Sequence, residues 1–257
     1  MADLQFMGVE KNNGLARIVL NRPKHNVLNI PMMNELNREL AAIAADDELK
    51  CVVITGEGRS FCAGVEVGDH KPEMVDEMVA VFNRIFELIN CIDIPVIAAV
   101  QGGACLGGGM ELAIACDIVL ASEKAIFGQP EIKLGFFPPY AAIRLPELVG
   151  TAKAIEILTT GKSYTAAQAK SLGFVSETAP AETFQDTVNS YVNEICMSSP
   201  LIIRLNKRAV KRHLGVGFAQ SVDLVSNYFL NTMMKTQDTL EGIKSFEEKR
   251  VAVWKNC

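Results

Sequence analysis

Val100-Gln101-Gly102-Gly103-Ala104-Cys105-Leu106-Gly107-Gly108-Gly109-Met110-Glu111-Leu112 runs from an apolar strand through a cluster of glycines into an apolar helix. Glycine has no Cβ, so Gly107 to Gly109 can take backbone angles closed to other residues and let a ligand approach the main chain. The first N–H groups of the helix that follows have no partner within it and are free to donate to an anionic oxygen. Glu111 falls in the first turn of that helix, where the helix dipole alone would favour a carboxylate. Leu112-Ala113-Ile114-Ala115-Cys116, however, is apolar on every face. The helix is therefore predicted to be buried, and a buried carboxylate is costly unless it is paired or used.

Outward from this stretch the pattern alternates between strand and helix. Upstream, Pro95 to Val100 is predicted as the strand feeding the glycines, and Met74, Met78, Val81, Ile85 and Leu88 mark an amphipathic helix before it. Cys51 to Thr55 is a buried-type strand, followed by a Gly56–Ser60 loop and then Phe61-Cys62-Ala63-Gly64-Val65-Glu66. Asn29 can cap a helix that carries Pro31 in its first turn and an apolar stripe of Met32, Met33, Leu36, Leu40 and Ile43. Ala16 to Leu20 is a β-branched run that ends at Asn21-Arg22-Pro23. Downstream, Asp117 to Ala121 reads as a strand, Phe127-Gly128-Gln129-Pro130-Glu131 as a turn carrying a second carboxylate, and Phe136 to Tyr140 as an aromatic loop. From Thr151 the texture is helical: 152–159, 165–171 with Ser163 as cap, 181–198, 200–214, 219–234 and 240–253. Alternating strands and helices define an α/β chain with a helical C-terminal part.

Composition narrows the function. The chain has 257 residues, 49% of them hydrophobic and 21% charged, with a net charge of -5. That acidic balance disfavours nucleic acid as the main partner. Lys207-Arg208 and Lys211-Arg212-His213 form the only basic cluster, read as one solvated helix face or a phosphate contact. Seven cysteines in no CxxC spacing read as reduced core residues, which places the chain in the cytoplasm. No signal peptide or membrane span is expected. Three scattered histidines (25, 70, 213) suggest no metal site, and His70 and His213 read as solvated surface groups. No G-x-G-x-x-G stands at a strand-to-helix junction, no Gly-x-Ser-x-Gly elbow exists, and Gly161-Lys162-Ser163 lacks the upstream glycine of a phosphate loop.

Three features remain: the Phe61–Glu66 loop, Gly107-Gly108-Gly109-Met110-Glu111-Leu112 with Cys116-Asp117, and Phe127-Gly128-Gln129-Pro130-Glu131. In their order and spacing the chain resembles the crotonase (enoyl-CoA hydratase/isomerase) family, from Asn21-Arg22-Pro23-Lys24 to Ser245-Phe246-Glu247-Glu248-Lys249-Arg250. The resemblance implies an α/β spiral of ββα turns over residues 1–195 and a C-terminal helical segment over 196–257 that makes a homotrimer or homohexamer. It implies an acyl-CoA substrate, no cofactor beyond the CoA of the substrate itself, and no metal. By position, the backbone N–H groups of Val65 and Gly108 would stabilise the thioester enolate. Glu111 would position and deprotonate water and Glu131 would deliver the proton to carbon. CoA contacts would come from Lys24, His25 and the backbone of Ala63, Gly64, Val65, Glu66 and Val67, with Phe246 and Lys249 from a neighbouring subunit.

Two departures from the family pattern bear on substrate. Glu66 stands where an Asp is common. More consequential, Phe136-Phe137-Pro138-Pro139-Tyr140-Ala141-Ala142 replaces a glycine-rich segment and is one residue shorter. Pro139 has no N–H where the family uses one to hold water. Phe136, Phe137 and Tyr140 would bring aromatic surface to the acyl pocket, which suits a flat or cyclic acyl group. In this segment the chain looks most like the family's hydratases of cyclic dienoyl-CoA such as cyclohexa-1,5-diene-1-carbonyl-CoA. The rival readings are an ordinary linear enoyl-CoA hydratase, a double-bond isomerase, which the presence of both glutamates opposes, and a non-catalytic acyl-CoA or RNA binder.

Overall fold

The computed structural model describes residues 4–212, 215, 227–229 and 231–257. The chain opens with β1 (Met7–Asn12) and β2 (Leu15–Leu20), then α1 (Ile30–Ala44), β3 (Cys51–Gly56), α2 (Val75–Cys91) and β4 (Val96–Val100). Next come β5 (Gly103–Leu106), α3 (Gly108–Ala115), β6 (Ile118–Ser122), β7 (Ala125–Gly128), α4 (Pro139–Val149) and α5 (Thr151–Thr160). β8 (Ser163–Thr165), α6 (Ala166–Leu172), β9 (Glu177–Ala179), α7 (Phe184–Cys196), α8 (Pro200–Arg212) and α9 (Gln237–Glu247) follow.

The strands form two sheets. The larger has the order β1-β2-β3-β4-β6-β9, the smaller β5-β7-β8. In the larger sheet every neighbouring pair is parallel except the β1–β2 hairpin. Each successive unit places one strand in each sheet: β4 then β5, β6 then β7. This two-sheet climb is the spiral of ββα turns expected from the resemblance. Parallel strands covered on both faces read as unbroken apolar runs, and Cys51-Val52-Val53-Ile54 is such a run. Val52 and Ile54 face the main core with the α1 stripe; Cys51 and Val53 face a second cluster closed by Phe184, Val188 and Val192 of α7. Asn29 caps α1, its side chain accepting the Met32 N–H at 3.1 Å.

Several local expectations are corrected. The glycine stretch holds a strand of its own, β5, because Gly102 (φ 148°) and Gly103 (φ 59°) turn the chain out of the large sheet before the helix begins. Phe127 and Gly128, read as the start of a turn, belong instead to strand β7 (Ala125–Gly128), held by its pairing to β5 and β8. The aromatic loop ends in a helix, α4, which starts at Pro139. The α6 cap is Thr165, in a capping box with Gln168, while Ser163 belongs to β8. α9 ends at Glu247, not Val253. Most of the helix expected over 219–234 lies outside the described residues. Cys91 and Cys257 are exposed rather than core.

The basic cluster on α8 is only in part a solvated face: the Lys207 side chain is buried, while Arg208 is exposed. Lys207 pairs with Asp117 at 2.5 Å and donates to the Ile94 carbonyl at 2.8 Å. Arg208 donates through two nitrogens to Asp93, and Lys211 binds the carbonyl and side-chain oxygens of Asn90. These contacts fasten α8 to the end of α2, to the segment leading into β4 and to Asp117 before β6. The Arg212 side chain and His213 lie outside the described residues. Among the described residues no helix is long and apolar enough to cross a membrane.

Candidate active site

A cavity of about 390 Å³ opens where the Phe61–Glu66 loop, α3, α2 and the segment from Pro130 to Pro139 meet. Two short pairings bring the first loop to the glycines. Cys62 bridges Cys105 of β5, with Leu106 N–H donating to the Cys62 carbonyl at 3.0 Å. Leu28 bridges Val65 through Leu28 N–H to the Gly64 carbonyl (2.9 Å) and Glu66 N–H to the Leu28 carbonyl (2.7 Å). In a parallel bridge the central residue turns its own N–H the other way, and Val65 N–H has no partner among the described residues. Gly108 is the first residue of α3, so its N–H has no acceptor within the helix. The two amides are neighbours: a Cβ on Gly108 would lie 2.5 Å from Val65 Cγ2 and 3.5 Å from Val65 N. Only glycine allows that approach.

Glu111 sits one turn into α3 and is 2% exposed. Its Oε1 accepts the Ala141 N–H at 2.9 Å, and the Tyr140 N–H also lies against it. These are free amides of the first turn of α4, so one helix N-terminus is capped by a carboxylate from another. Burial pushes the Glu111 carboxyl up to about 7; the Ala141 N–H pulls it down, and the charge of Glu131 adds to the rise. Glu131 stands in a single 3₁₀ turn, Pro130–Leu134, and is 8% exposed. Burial pushes it, too, up to about 7, opposed by its own N–H. Gln129, fully buried, donates to both Glu131 oxygens at 3.2 and 3.1 Å with its amide nitrogen turned toward them, the only orientation that pairs donor with acceptor. At Gly107 (φ 52°) a Cβ would come within 2.6 Å of Glu131 Oε1. Glu111 and Glu131 therefore share one cavity with two amides that have no partner among the described residues.

The other expected residues divide. Ala63, Gly64, Val65, Val67, Phe136 and Phe137 line the cavity. Glu66 does not; its carboxylate pairs with Arg22 at 2.9 Å. Tyr140 does not line it either: its ring stacks on Phe86 at 3.8 Å, and only its N–H reaches the site, because the helix that starts at Pro139 turns the side chain toward α2. Lys24 and His25 are exposed and outside the cavity. His25 nevertheless braces the Phe61–Glu66 loop, its carbonyl accepting Ala63 N–H at 3.0 Å and its Nδ1 lying 3.0 Å from Ser60 Oγ. Lys249 is exposed and away from this chain's cavity, and the side chain of Phe246 lies outside the described residues. His70, read as a surface group, is on the cavity wall.

Some cavity residues escaped the sequence reading. Val75, Val79 and Phe82 form a second apolar stripe on α2 at helical spacing and line the cavity, Phe82 packing into the core as well. That double stripe was available as a signal. Gln129 gave none, since an amide beside a proline turn is unremarkable.

The family model for Enoyl-CoA hydratase/isomerase matches residues 10–257. Short-chain-enoyl-CoA hydratase of Clostridium acetobutylicum is 33% identical over 96% of this chain and 97% of its own length. Cyclohexa-1,5-dienecarbonyl-CoA hydratase of Thauera aromatica is 31% identical over 96% of this chain and 95% of its own. A crystal structure of enoyl-CoA hydratase from Bacillus anthracis superposes with a TM-score of 0.93 at 30% identity, covering 98% of this chain and 100% of that one. The chain belongs to the enoyl-CoA hydratase/isomerase family and has its α/β crotonase fold.

Proposed function

We propose that the protein is an acyl-CoA hydro-lyase that adds water across the α,β double bond of an enoyl-CoA thioester. The observation that carries this is the pair of buried carboxyls, both raised to about 7, beside two unpaired amides. Val65 and Gly108 N–H groups take the thioester oxygen as it gains enolate charge. Glu111, held by the α4 amides, orients water and takes its proton; Glu131, oriented by Gln129, delivers a proton to the α carbon. With both carboxyls raised toward neutrality, one can be ionised while the other is protonated, which suits an addition that needs a base and an acid at once. An isomerase needs one shuttling carboxyl, so both being in place favours hydration.

The acyl group we take to be flat or cyclic. Phe136 and Phe137 on the wall support this; Tyr140, spent on Phe86, does not. Both chemistries occur among the relatives, so the substrate panel must hold crotonyl-CoA and a cyclic dienoyl-CoA, followed by loss of the conjugated thioester absorbance. Cyclic substrate is expected to exceed crotonyl-CoA in kcat/KM by at least about tenfold. A preference for crotonyl-CoA returns the chain to linear hydration, and turnover of neither overturns the proposed reaction. Assembly as a trimer or hexamer in the cytoplasm completes the proposal. Exposed Ile143, Ile155, Val210 and Leu240 are apolar surface that such assembly would cover.

A further inference from the structure

Two loops meet over the cavity at one aromatic contact. His70, the last residue of the Val67–His70 turn, stacks on Phe136 with ring centroids 4.9 Å apart and planes 26° from parallel. Its Nδ1 lies 3.0 Å from the Glu66 carbonyl oxygen. A carbonyl oxygen only accepts, so Nδ1 carries the proton, and in the neutral imidazole Nε2 is then an acceptor. Nε2 makes no hydrogen bond among the described residues. The ring is held from three directions: by the Glu66 carbonyl, by Phe136, and by the short turn that carries it.

Apart from the two glutamates, the side chains that line this cavity are apolar, with two polar exceptions. Asn83 is exposed, while His70 is partly buried against Phe136. An acceptor facing an alkyl group loses a hydrogen bond that water would have given it, and a site that offers such a group discriminates against substrates that cannot answer it. For the neutral imidazole, with Nδ1 committed to the Glu66 carbonyl, the partner must be a donor. A carboxylate brings none, an ammonium would have to shed its water into an apolar cavity, and an alcohol supplies an O–H without charge.

We infer that the pocket takes an acyl group carrying a hydroxyl, whose O–H donates to His70 Nε2. This rests on the hydratase proposal and adds the substituent that the pocket selects. Enoyl-CoA thioesters, linear and cyclic, are compared in three forms: unsubstituted, hydroxylated at successive carbons of the acyl group, and as the methyl ethers of those alcohols. The ether keeps the oxygen and loses the donor. One hydroxylated form is expected to exceed both its parent and its ether in kcat/KM by at least about tenfold in the wild-type protein. In His70→Phe, which keeps a ring to stack on Phe136, that ratio is expected to fall to about one.

No hydroxyl preference at any position, or an ether as good as its alcohol, overturns the inference without need of a variant. A ratio that survives His70→Phe, or that Asn83→Ala abolishes instead, overturns the assignment to His70. If no thioester in the panel is hydrated, the hydratase proposal fails and the inference is judged separately by calorimetry. Saturated acyl-CoA with and without the hydroxyl then serve as probes, and equal Kd values overturn it.

Discussion

In the proposed reaction the chemistry turns on Glu111 and Glu131, and their burial makes opposite demands on activity and stability. Glu111→Gln and Glu131→Gln are each expected to lower kcat at least about a hundredfold, the size of a lost general acid or base, in a steady-state hydration assay. The same groups make stability fall with rising pH. Unfolded, each carboxyl loses its proton near 4.5; folded, each keeps it up to about 7. Between those values the native state binds more protons than the unfolded state, so ionisation favours unfolding across that window and no further above it. Denaturant unfolding at a series of pH values should show this decline, and Glu111→Gln should flatten it. A stability that climbed through the window would mean that both carboxyls are ionised throughout and would remove the basis for one acid beside one base. Gly107→Ala tests the spacing of the pair: its Cβ meets Glu131 Oε1, and its φ of 52° strains any side chain. Loss of most turnover is expected in a protein that still folds, measured by circular dichroism and assay together.

At the scale of elements, α4 determines how Glu111 is held. Two prolines precede its first free amides, and Pro139 occupies the first helical position, where an N–H would have no partner in any case. The missing donor therefore costs the helix nothing, and the next amides, Tyr140 and Ala141, serve the carboxylate. Ala141→Pro removes one of them within the first turn, where proline is tolerated. Because that N–H favours the ionised form, its loss should push the Glu111 carboxyl higher still and move the acid limb of the kcat profile to higher pH. An unmoved acid limb would show that Ala141 does not tune Glu111.

The whole molecule depends on α8 being fastened to the spiral core. The Lys207 side chain is only 8% exposed, and burial lowers its proton affinity against the pull of Asp117. Lys207→Met leaves Asp117 without its cation and should cost about 2–3 kcal/mol, somewhat less than a fully buried pair because Asp117 keeps some solvent. Arg208→Ala removes a pair with both partners at least a third exposed and should cost less than about 1 kcal/mol. Denaturant midpoints for the two variants distinguish a structural anchor from surface charge. Equal small losses would return this helix to the solvated face expected from its composition.

Residues whose identity is forced by backbone geometry or by local periodicity were legible from the chain alone. Gly107 and Gly108 announce a close approach, the α1 stripe announces a buried helix face, and Glu111 in an all-apolar helix announces a carboxylate with a task. Those signals need only the neighbours along the chain. Tyr140, His70 and the α8 lysines were misplaced because their partners come from distant segments. Tyr140 is claimed by Phe86, His70 by Phe136, and Lys207 by Asp117. An aromatic ring or a charge has the same local signature whether it lines a pocket, packs a core or faces water. Which of these it does depends on what the fold carries to within a few ångströms of it, and that only the tertiary structure decided.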